Sequence, residues 1–277
     1  MGLSVPAFAV MPVHPSAIVS SEARIDPCAE IGAYVVIEGP VCIAANCRIL
    51  PHAQLLGDTF IDEGSVIGRA AIIGENPQDL GFKQDTPSGV RIGKNNTIRE
   101  QVTIHRGSKP DSYTVLGDGN FIMATAHFGH DVILGNGNIV ANAALLAGHV
   151  HVGHGTFIGG GAVFHQFLRI GDGCVIQGNG SFSKDIPHFC AAQRINRVTG
   201  LNVIGLRRQG FNAEQRAALK SLFDLIYRKG LNLSQAIATA RQQSWPEQAE
   251  KFLQFMEAPS KKGVCRWTPD AGGEEGL

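Results

Sequence analysis

Aliphatic residues recur along this chain at a strict spacing of six. Counting from Val13 gives Val19, Ile25, Ile31, Ile37, Ile43, Ile49, Leu55, Ile61, Ile67 and Ile73. The phase slips in "GENPQDLGFKQDTPSGVR" and resumes at Ile92, Ile98 and Ile104. It jumps "RGSKPDSYTV" and runs on through Leu116, Ile122, Phe128, Leu134, Val140, Leu146, Val152, Ile158, Phe164, Ile170, Ile176 and Phe182. For a chain that is 44% hydrophobic, 26 such positions in succession have a chance probability of about 10⁻⁹, so the period belongs to the fold.

A helix repeats at about 3.6 residues and a strand at about 2, so neither alone produces a six. A hexapeptide unit does. A short strand contributes one inward aliphatic residue, a turn follows, and three units close a triangular coil. Small or β-branched residues two positions earlier (Ala29, Val35, Val41, Cys47, Ala53, Val132, Ala144, Val150) suit the tight interior. The pattern predicts a mainly β protein. Its architecture is a left-handed parallel β-helix within residues 1–190, with about nine coils between 13 and 186. The interruptions near 74–91 and 106–114 are expected to be external loops, where function is often added.

From "KDIP" at 184–187 the six-residue period stops. Residues 198–208, 212–229, 232–243 and 246–257 carry apolar residues at helical spacing, as in Leu219, Leu222, Phe223 and Ile226. Asn212 and Asn232 suit N-caps and Gly230 a helix end. These predict a C-terminal α-helical domain over 191–264, followed by a disordered tail over 265–277.

Composition narrows the function classes. The formal net charge is zero, which gives no electrostatic case for nucleic acid or an anionic membrane as main partner. No apolar run is long enough to span a bilayer. The stretch "MGLSVPAFAVMPVHPSA" lacks a positively charged start, so no signal peptide is expected. The cysteines at 28, 42, 47, 174, 190 and 265 form no CxxC pair and read as free thiols of a reducing cytoplasm.

The phase also sorts the histidines. Residues 18 apart stack on successive coils at about 4.8 Å. Phe128, Leu146 and Phe164 form such a set, so His130, Gly148 and Gln166, each two residues later, share one corner. Asp131 and His149 stack one position further on. His165 precedes Gln166, and His127 points outward near the same edge. Histidines at turns are often only solvated, and in solenoids they also line subunit interfaces, so both plain readings stand beside a functional one. His105, His151, His154 and His188 are expected elsewhere.

A metal site is one rival. His149 and His154 in "GHVHVGHG" are five apart, a spacing shared with hexapeptide-repeat carbonic anhydrases, but the count supplies no third ligand in phase. A general base suits the edge better. Histidine can take a proton from an attacking hydroxyl near neutral pH, and an adjacent carboxylate fixes its tautomer. Gly148 lets a substrate approach its backbone N–H, which can hold an oxyanion. No Ser or Cys nucleophile shares the edge, which points to direct transfer between two substrates.

At these residues the chain resembles the UDP-N-acetylglucosamine O-acyltransferases that open lipid A biosynthesis. The matching strings are "IGENPQDL" (73–80), "IRE" with "VTIHRG" (98–107), "AHFGHD" (126–131), "LAGHV" (146–150), "HQF" (165–167), "DIP" (185–187) and "GLNVIGLRRQGF" (200–211). "IYRKG" and "APSKKGV" continue the match, and it covers residues 14–264.

The resemblance implies a homotrimer that moves a 3-hydroxyacyl or acyl chain from acyl carrier protein to the sugar 3-position. It implies His130 as general base, Asp131 as its orienting partner and Gly148 as oxyanion donor. It implies sugar-nucleotide or thioester contacts from His127, His149, His165 and Gln166, a sugar contact from Asp79, and nucleotide contacts from Asn202 and Arg208. Gly178 matches a position that limits acyl length, with room for a long chain. No metal or bound cofactor is expected, since phosphopantetheine arrives on the carrier protein. Arg194, Arg197, Arg207, Arg208 and Lys220 are candidate docking residues for that acidic partner. Gly81 stands where a lysine is frequent, with Lys83 nearby, and Ile204 and Gln209 also depart from the pattern; these bear on nucleotide affinity. A 3-amino sugar, the sister N-acyltransferase (whose N-terminal uridine-binding domain has no room before residue 13), a zinc lyase and a non-catalytic scaffold are the alternatives.

Overall fold

The structure, a computed structural model, describes residues 12–268. Residues 1–11, the segment read for a leader, and 269–277, the end of the expected tail, lie outside them. The fold is the left-handed parallel β-helix that the six-residue period implies. Its three faces are sheets of short strands that pair in parallel from coil to coil, and the one antiparallel pair among the described strands, Cys190–Gln193 with Arg197–Leu201, lies in the extension of the third face. The first face runs in nine strands from Ile18–Val19 to Ser181–Phe182, and the second in eight from Arg24–Ile25 to Arg169–Ile170. The third starts at Glu30–Ile31 and is extended beyond Val175–Ile176 by Cys190–Gln193, Arg197–Leu201 and Arg266–Trp267.

Most positions of the count face inward and are almost fully buried, as are Val35, Val41, Cys47, Val132, Ala144 and Val150 two residues before them. Val13 and Val19, in the first described coil, are partly exposed. His127, Leu145 and Val163 are cross-strand neighbours at intervals of 18, as the count requires. Thr103 pairs with His127 at an interval of 24, because the second insertion adds six residues to its coil.

One corner has a polar interior that the aliphatic count does not reveal. Ser65, Asn96, Asn120, Asn138 and Thr156 point inward and are buried. The Asn96 side-chain oxygen accepts the Asn120 N–H at 2.9 Å, Asn120 accepts the Asn138 N–H at 2.8 Å, and Asn138 accepts the Thr156 N–H at 2.8 Å. Thr156 Oγ1 accepts the Cys174 N–H at 3.0 Å and donates to the Gly171 carbonyl at 2.9 Å. Each buried donor therefore finds an acceptor one coil away, as burial of amides demands.

The first insertion leaves the first face after Ile72–Glu75 and returns at Gly89–Ile92; the second lies between Thr103–His105 and Tyr113–Leu116. The segment expected as a loop at 74–91 thus contains strand at both ends, and that at 106–114 at its second end only. Beyond the β-helix, α1 spans Val203–Arg208, α2 Ala213–Arg228, α3 Leu233–Ala240 and α4 Glu247–Glu257. Asn212 and Asn232 each form a capping box, with Gln215 and Gln235 as reciprocal partners.

Two expectations are corrected. Residues 198–201, read as helix, belong to the strand Arg197–Leu201, because Val198 is buried as a rung against Ala192. Residues 265–268, read as disordered tail, include the strand Arg266–Trp267, whose partner is that same added strand, and Cys265 is buried. A disordered reading from composition fails there because the sheet offers an edge to pair with.

Candidate active site

The corner between the first and second faces carries the chemistry. His130, Gly148 and Gln166 occupy one turn position there, and Asp131, His149 and Phe167 the next. The His149 N–H donates to the His130 carbonyl at 2.9 Å and the Phe167 N–H to the Gly148 carbonyl at 3.1 Å, which fixes the register. Asp131, His149 and Phe167 have φ of 59°, 60° and 67°. Thr125 and Ala143 adopt the same left-handed conformation at another corner, so it belongs to the coil geometry and not to the site.

His130 Nδ1 and Asp131 Oδ2 are 2.7 Å apart, with both side chains largely buried. The Ser108 hydroxyl donates to the same Oδ2 at 2.6 Å, and the Ser108 N–H reaches both carboxylate oxygens at 3.1 and 3.3 Å. Burial works to raise the Asp131 pKa, but hydrogen bonds from His130 and Ser108 outweigh it and hold the carboxyl well below its usual range. An ionised carboxylate only accepts, so Nδ1 of His130 carries a proton, and in the neutral ring the lone pair is on Nε2.

Nε2 lies over Gly148: a Cβ on that residue would come within 2.5 Å of it. Only glycine lets the imidazole rest there. The Gly148 N–H meets no acceptor among the described residues. His149 stacks on Phe167 with ring centroids 4.6 Å apart, meets the His130 ring edge-on at 5.0 Å, and places Nε2 3.6 Å from Asp131 Oδ2. Lys261 Nζ lies over the Phe167 ring, 4.4 Å from its centroid.

Two cavities meet at His130. The larger, about 1040 Å³, is lined by Asp79, Ser108, Lys109, His149, Gln166 and Lys261, among others. The smaller, about 200 Å³, is lined by His105, His127, Leu145, Gly148, Val163 and Phe164, among others. Asp79 is held in its loop by accepting the Gly81 N–H at 2.9 Å. Lys109, and not Lys83, is the lysine of the insertions that lines the larger cavity. His127 bonds Thr103 Oγ1 through Nδ1 at 2.7 Å, and burial lowers its pKa. His105 meets His127 edge-on at 5.0 Å; burial first, then repulsion from His127, lowers it to about 4.

The structure thus brings together His130, Asp131, Gly148, Asp79, His127, His149 and Gln166. His165 is exposed, contacts the Gln166 carbonyl at 3.3 Å, and lines neither cavity. Asn202, Arg208 and Gly178 are not at this corner. Asn202 caps α1 and donates to Gly173 at 2.9 Å, which puts it and Arg208 at the corner between the second and third faces. Gly178 packs against Gly160 at the remaining corner.

Ser108, Lys109, Phe167 and Lys261 were not expected at the site, and His105 and His151 were expected elsewhere. His105 was findable by counting 24 through the lengthened coil, and His151 lines the larger cavity from the second face.

A metal would find His130, Asp131 and His149, whose ligand atoms all lie within 4.8 Å of one another. This trio shares only His149 with the pair that the sequence offered. The acceptor Oδ2, however, is already engaged by His130 and Ser108, and a metal would have to displace them. The pairing of His149 with His154 does not form: His154 Nδ1 accepts the Asn136 N–H at another corner.

The chain matches known proteins over nearly its whole length. Residues 113–148 match the bacterial transferase hexapeptide (six repeats) model, and 185–265 match domain 2 of the UDP-N-acetylglucosamine O-acyltransferase model. The acyl-[acyl-carrier-protein]–UDP-N-acetylglucosamine O-acyltransferase of Thermodesulfovibrio yellowstonii is 43% identical, over 92% of this chain and 99% of its own. The namesake from Campylobacter lari is 41% identical, over 91% and 95%. Among solved structures, the UDP-N-acetylglucosamine acyltransferase of Francisella novicida superimposes with a TM-score of 0.87 at 30% identity, covering 96% of this chain and 100% of that one. That of Moraxella catarrhalis gives 0.87 at 32% identity, covering 92% and 100%. With the histidine edge in the register its motifs imply, the chain belongs to the UDP-N-acetylglucosamine O-acyltransferase family.

Proposed function

We propose that this protein transfers a (3-hydroxy)acyl chain from acyl carrier protein to the 3-hydroxyl of UDP-N-acetylglucosamine, the first step of lipid A biosynthesis. The observation that carries this reading is the His130–Asp131 pair, with its free Nε2 aimed over the bare Gly148. The sugar nucleotide fits the larger, polar cavity against Asp79, His149 and Gln166. The thioester fits the smaller cavity beside Leu145 and Val163.

Nε2 of His130 takes the proton as the sugar oxygen attacks the thioester carbonyl. Asp131 accepts from Nδ1 and stabilises the imidazolium. The Gly148 N–H receives the oxyanion of the tetrahedral intermediate. Collapse of that intermediate forms the ester and expels the phosphopantetheine thiolate, which takes the proton back from His130. No resident metal or cofactor has a step in this sequence.

The working unit is a homotrimer in this reading. Two observations support it. Asn202 and Arg208 sit at a corner other than the catalytic one, so they reach a nucleotide there only from a neighbouring subunit. Ile139, Phe157, Leu145 and Val163 expose apolar side chains on the two faces that meet at the Gly178 corner, where an acyl chain can lie between subunits. Arg194, Arg197, Arg207 and Arg208 are exposed and suit an acidic carrier protein. Lys220, paired with Asp224 at 2.6 Å, suits it less. The protein is expected in the cytoplasm; no helix among the described residues is long and apolar enough to cross a membrane.

A mass-spectrometric transfer assay tests the reading. UDP-N-acetylglucosamine and its 3-amino analogue are offered with acyl carrier proteins of several chain lengths. Ester product on the first sugar, lost in His130→Ala, is expected. Product only on the amino sugar would replace the substrate, and no product on either would overturn the reading.

A further inference from the structure

We propose that Ser108 is a positioning residue for the transfer: it fixes the Asp131 carboxylate so that His130 presents Nε2 to the sugar hydroxyl. This rests on the reading of His130 as the base.

Ser108 lies in the second insertion, outside the repeat that positions His130, Asp131, Gly148 and His149. Its hydroxyl and His130 Nδ1 converge on one oxygen, at 2.6 and 2.7 Å, and its N–H bridges both oxygens. The far end of the insertion grips the same residue from behind, as the Asp131 N–H donates to Thr114 Oγ1 at 2.9 Å. Asp131 is thus held at both its carboxylate and its amide.

The insertion itself is braced. The Lys109 N–H donates to Ser112 Oγ at 3.0 Å, and that hydroxyl donates back to the Lys109 carbonyl at 3.0 Å. A side chain on Gly107 would collide with Ser112. Arg106 ties the base of this segment to the loop bearing Asp79. It donates to Asn76 Oδ1 at 2.8 Å and to the Gln84 and Thr86 carbonyls at 2.7 and 3.0 Å, and lies over Phe82. Ser108 is therefore a fixed post and not a mobile tip.

The carboxylate has a competing partner, which is why a post is needed. His149 Nε2 is 3.6 Å from the oxygen that His130 uses. Without the Ser108 hydroxyl, the carboxylate can turn toward His149 and leave His130 free to rotate or to adopt the other tautomer. A hydrogen bond to a charged, buried group outweighs a neutral surface one, so its loss is felt at the base.

The test compares Ser108→Ala, Ser108→Thr, Asp131→Asn and the Ser108→Ala/Asp131→Asn double variant, with His130→Ala as reference. Ser108→Ala is expected to lower kcat roughly ten- to hundred-fold with little change in KM for the sugar nucleotide. Ser108→Thr, which keeps the hydroxyl, is expected to restore it. In the Asp131→Asn background, Ser108→Ala should cost nothing further, because its effect passes through the carboxylate. Proton NMR supplies a readout independent of turnover: the low-field His130 Nδ1–H resonance should be sharp in the parent, lost in Ser108→Ala and recovered in Ser108→Thr. An unchanged kcat and resonance in Ser108→Ala, or losses from 108 and 131 that multiply, would overturn the role of Ser108. Retained activity in His130→Ala would instead overturn the base itself, and the NMR comparison would still decide whether Ser108 orders the pair.

Discussion

Two corners of the prism carry buried polar side chains in register and use them differently. Where the chain enters the third face, Asn96, Asn120, Asn138 and Thr156 point inward, and each accepts a backbone N–H from the neighbouring coil. Where the chain leaves the first face, His130 and His149 line cavities, Asp131 holds His130 from behind, and Nε2 of His130 meets no hydrogen-bond partner among the described residues. The coil geometry is the same at both. The polar groups at the first corner are consumed by the backbone and serve stability. At the second, Asp131 is fully engaged by His130 and Ser108, and His130 is held through Nδ1 alone, which leaves its Nε2 for a substrate. Satisfaction of hydrogen-bonding capacity, more than residue type, separates structural from chemical polar residues here.

The comparison can be broken from either side. At the catalytic corner, Gly148→Ala puts a methyl group where the His130 ring rests, and kcat is expected to fall by roughly a hundred-fold as base and oxyanion donor shift together. Steady-state kinetics with a melting curve checks this. At the ladder, Thr156→Val removes a donor and an acceptor while keeping the shape. Stability should drop by about 1–3 kcal/mol in denaturant titration, with kcat unchanged.

Acid should sharpen the contrast. Burial lowers both His105 and His188 to about 4. Such groups are neutral when folded but bind a proton when unfolded below about pH 6.5, so the unfolded state gains protons first. Their contribution to stability is present above that pH and is lost as pH falls toward 4. Melting temperature should therefore decline across that window, and His188→Gln should make the decline shallower. The smallest expected effect is none: exhaustive chelation should leave kcat unchanged, because Asp131 Oδ2 is already bonded to His130 and Ser108. Loss of activity on chelation, restored by zinc, would favour the metal reading of the His130, Asp131 and His149 cluster.

Much of this was legible in the chain because a solenoid turns sequence distance into spatial position. Counting by 18 places His130, Gly148 and Gln166 on one corner and Asp131 with His149 one position further along the same corner. The same arithmetic separates Gly178, which follows Ile176 on a different face, from that corner; the family motif alone groups them. What the count could not supply comes from outside the repeat. Ser108 and Lys109 sit in an insertion with no phase, and Lys261 returns from beyond α4 to cover Phe167. His105 was misplaced because its coil is six residues longer than the others. The ladder is hidden from the aliphatic count because its asparagines occupy the position two before the aliphatic one, which small and branched residues fill in other coils. The added strands at 197–201 and 266–267 depend on an available sheet edge, which helical spacing does not report.

The most direct test measures kcat for acyl transfer and melting temperature together in His130→Ala and Asn120→Ala. The account predicts that His130→Ala loses turnover by roughly 10²–10⁴-fold while melting like the parent, and that Asn120→Ala melts lower but keeps kcat in its folded fraction. A His130→Ala protein that still transfers acyl groups at the parental rate would contradict the account.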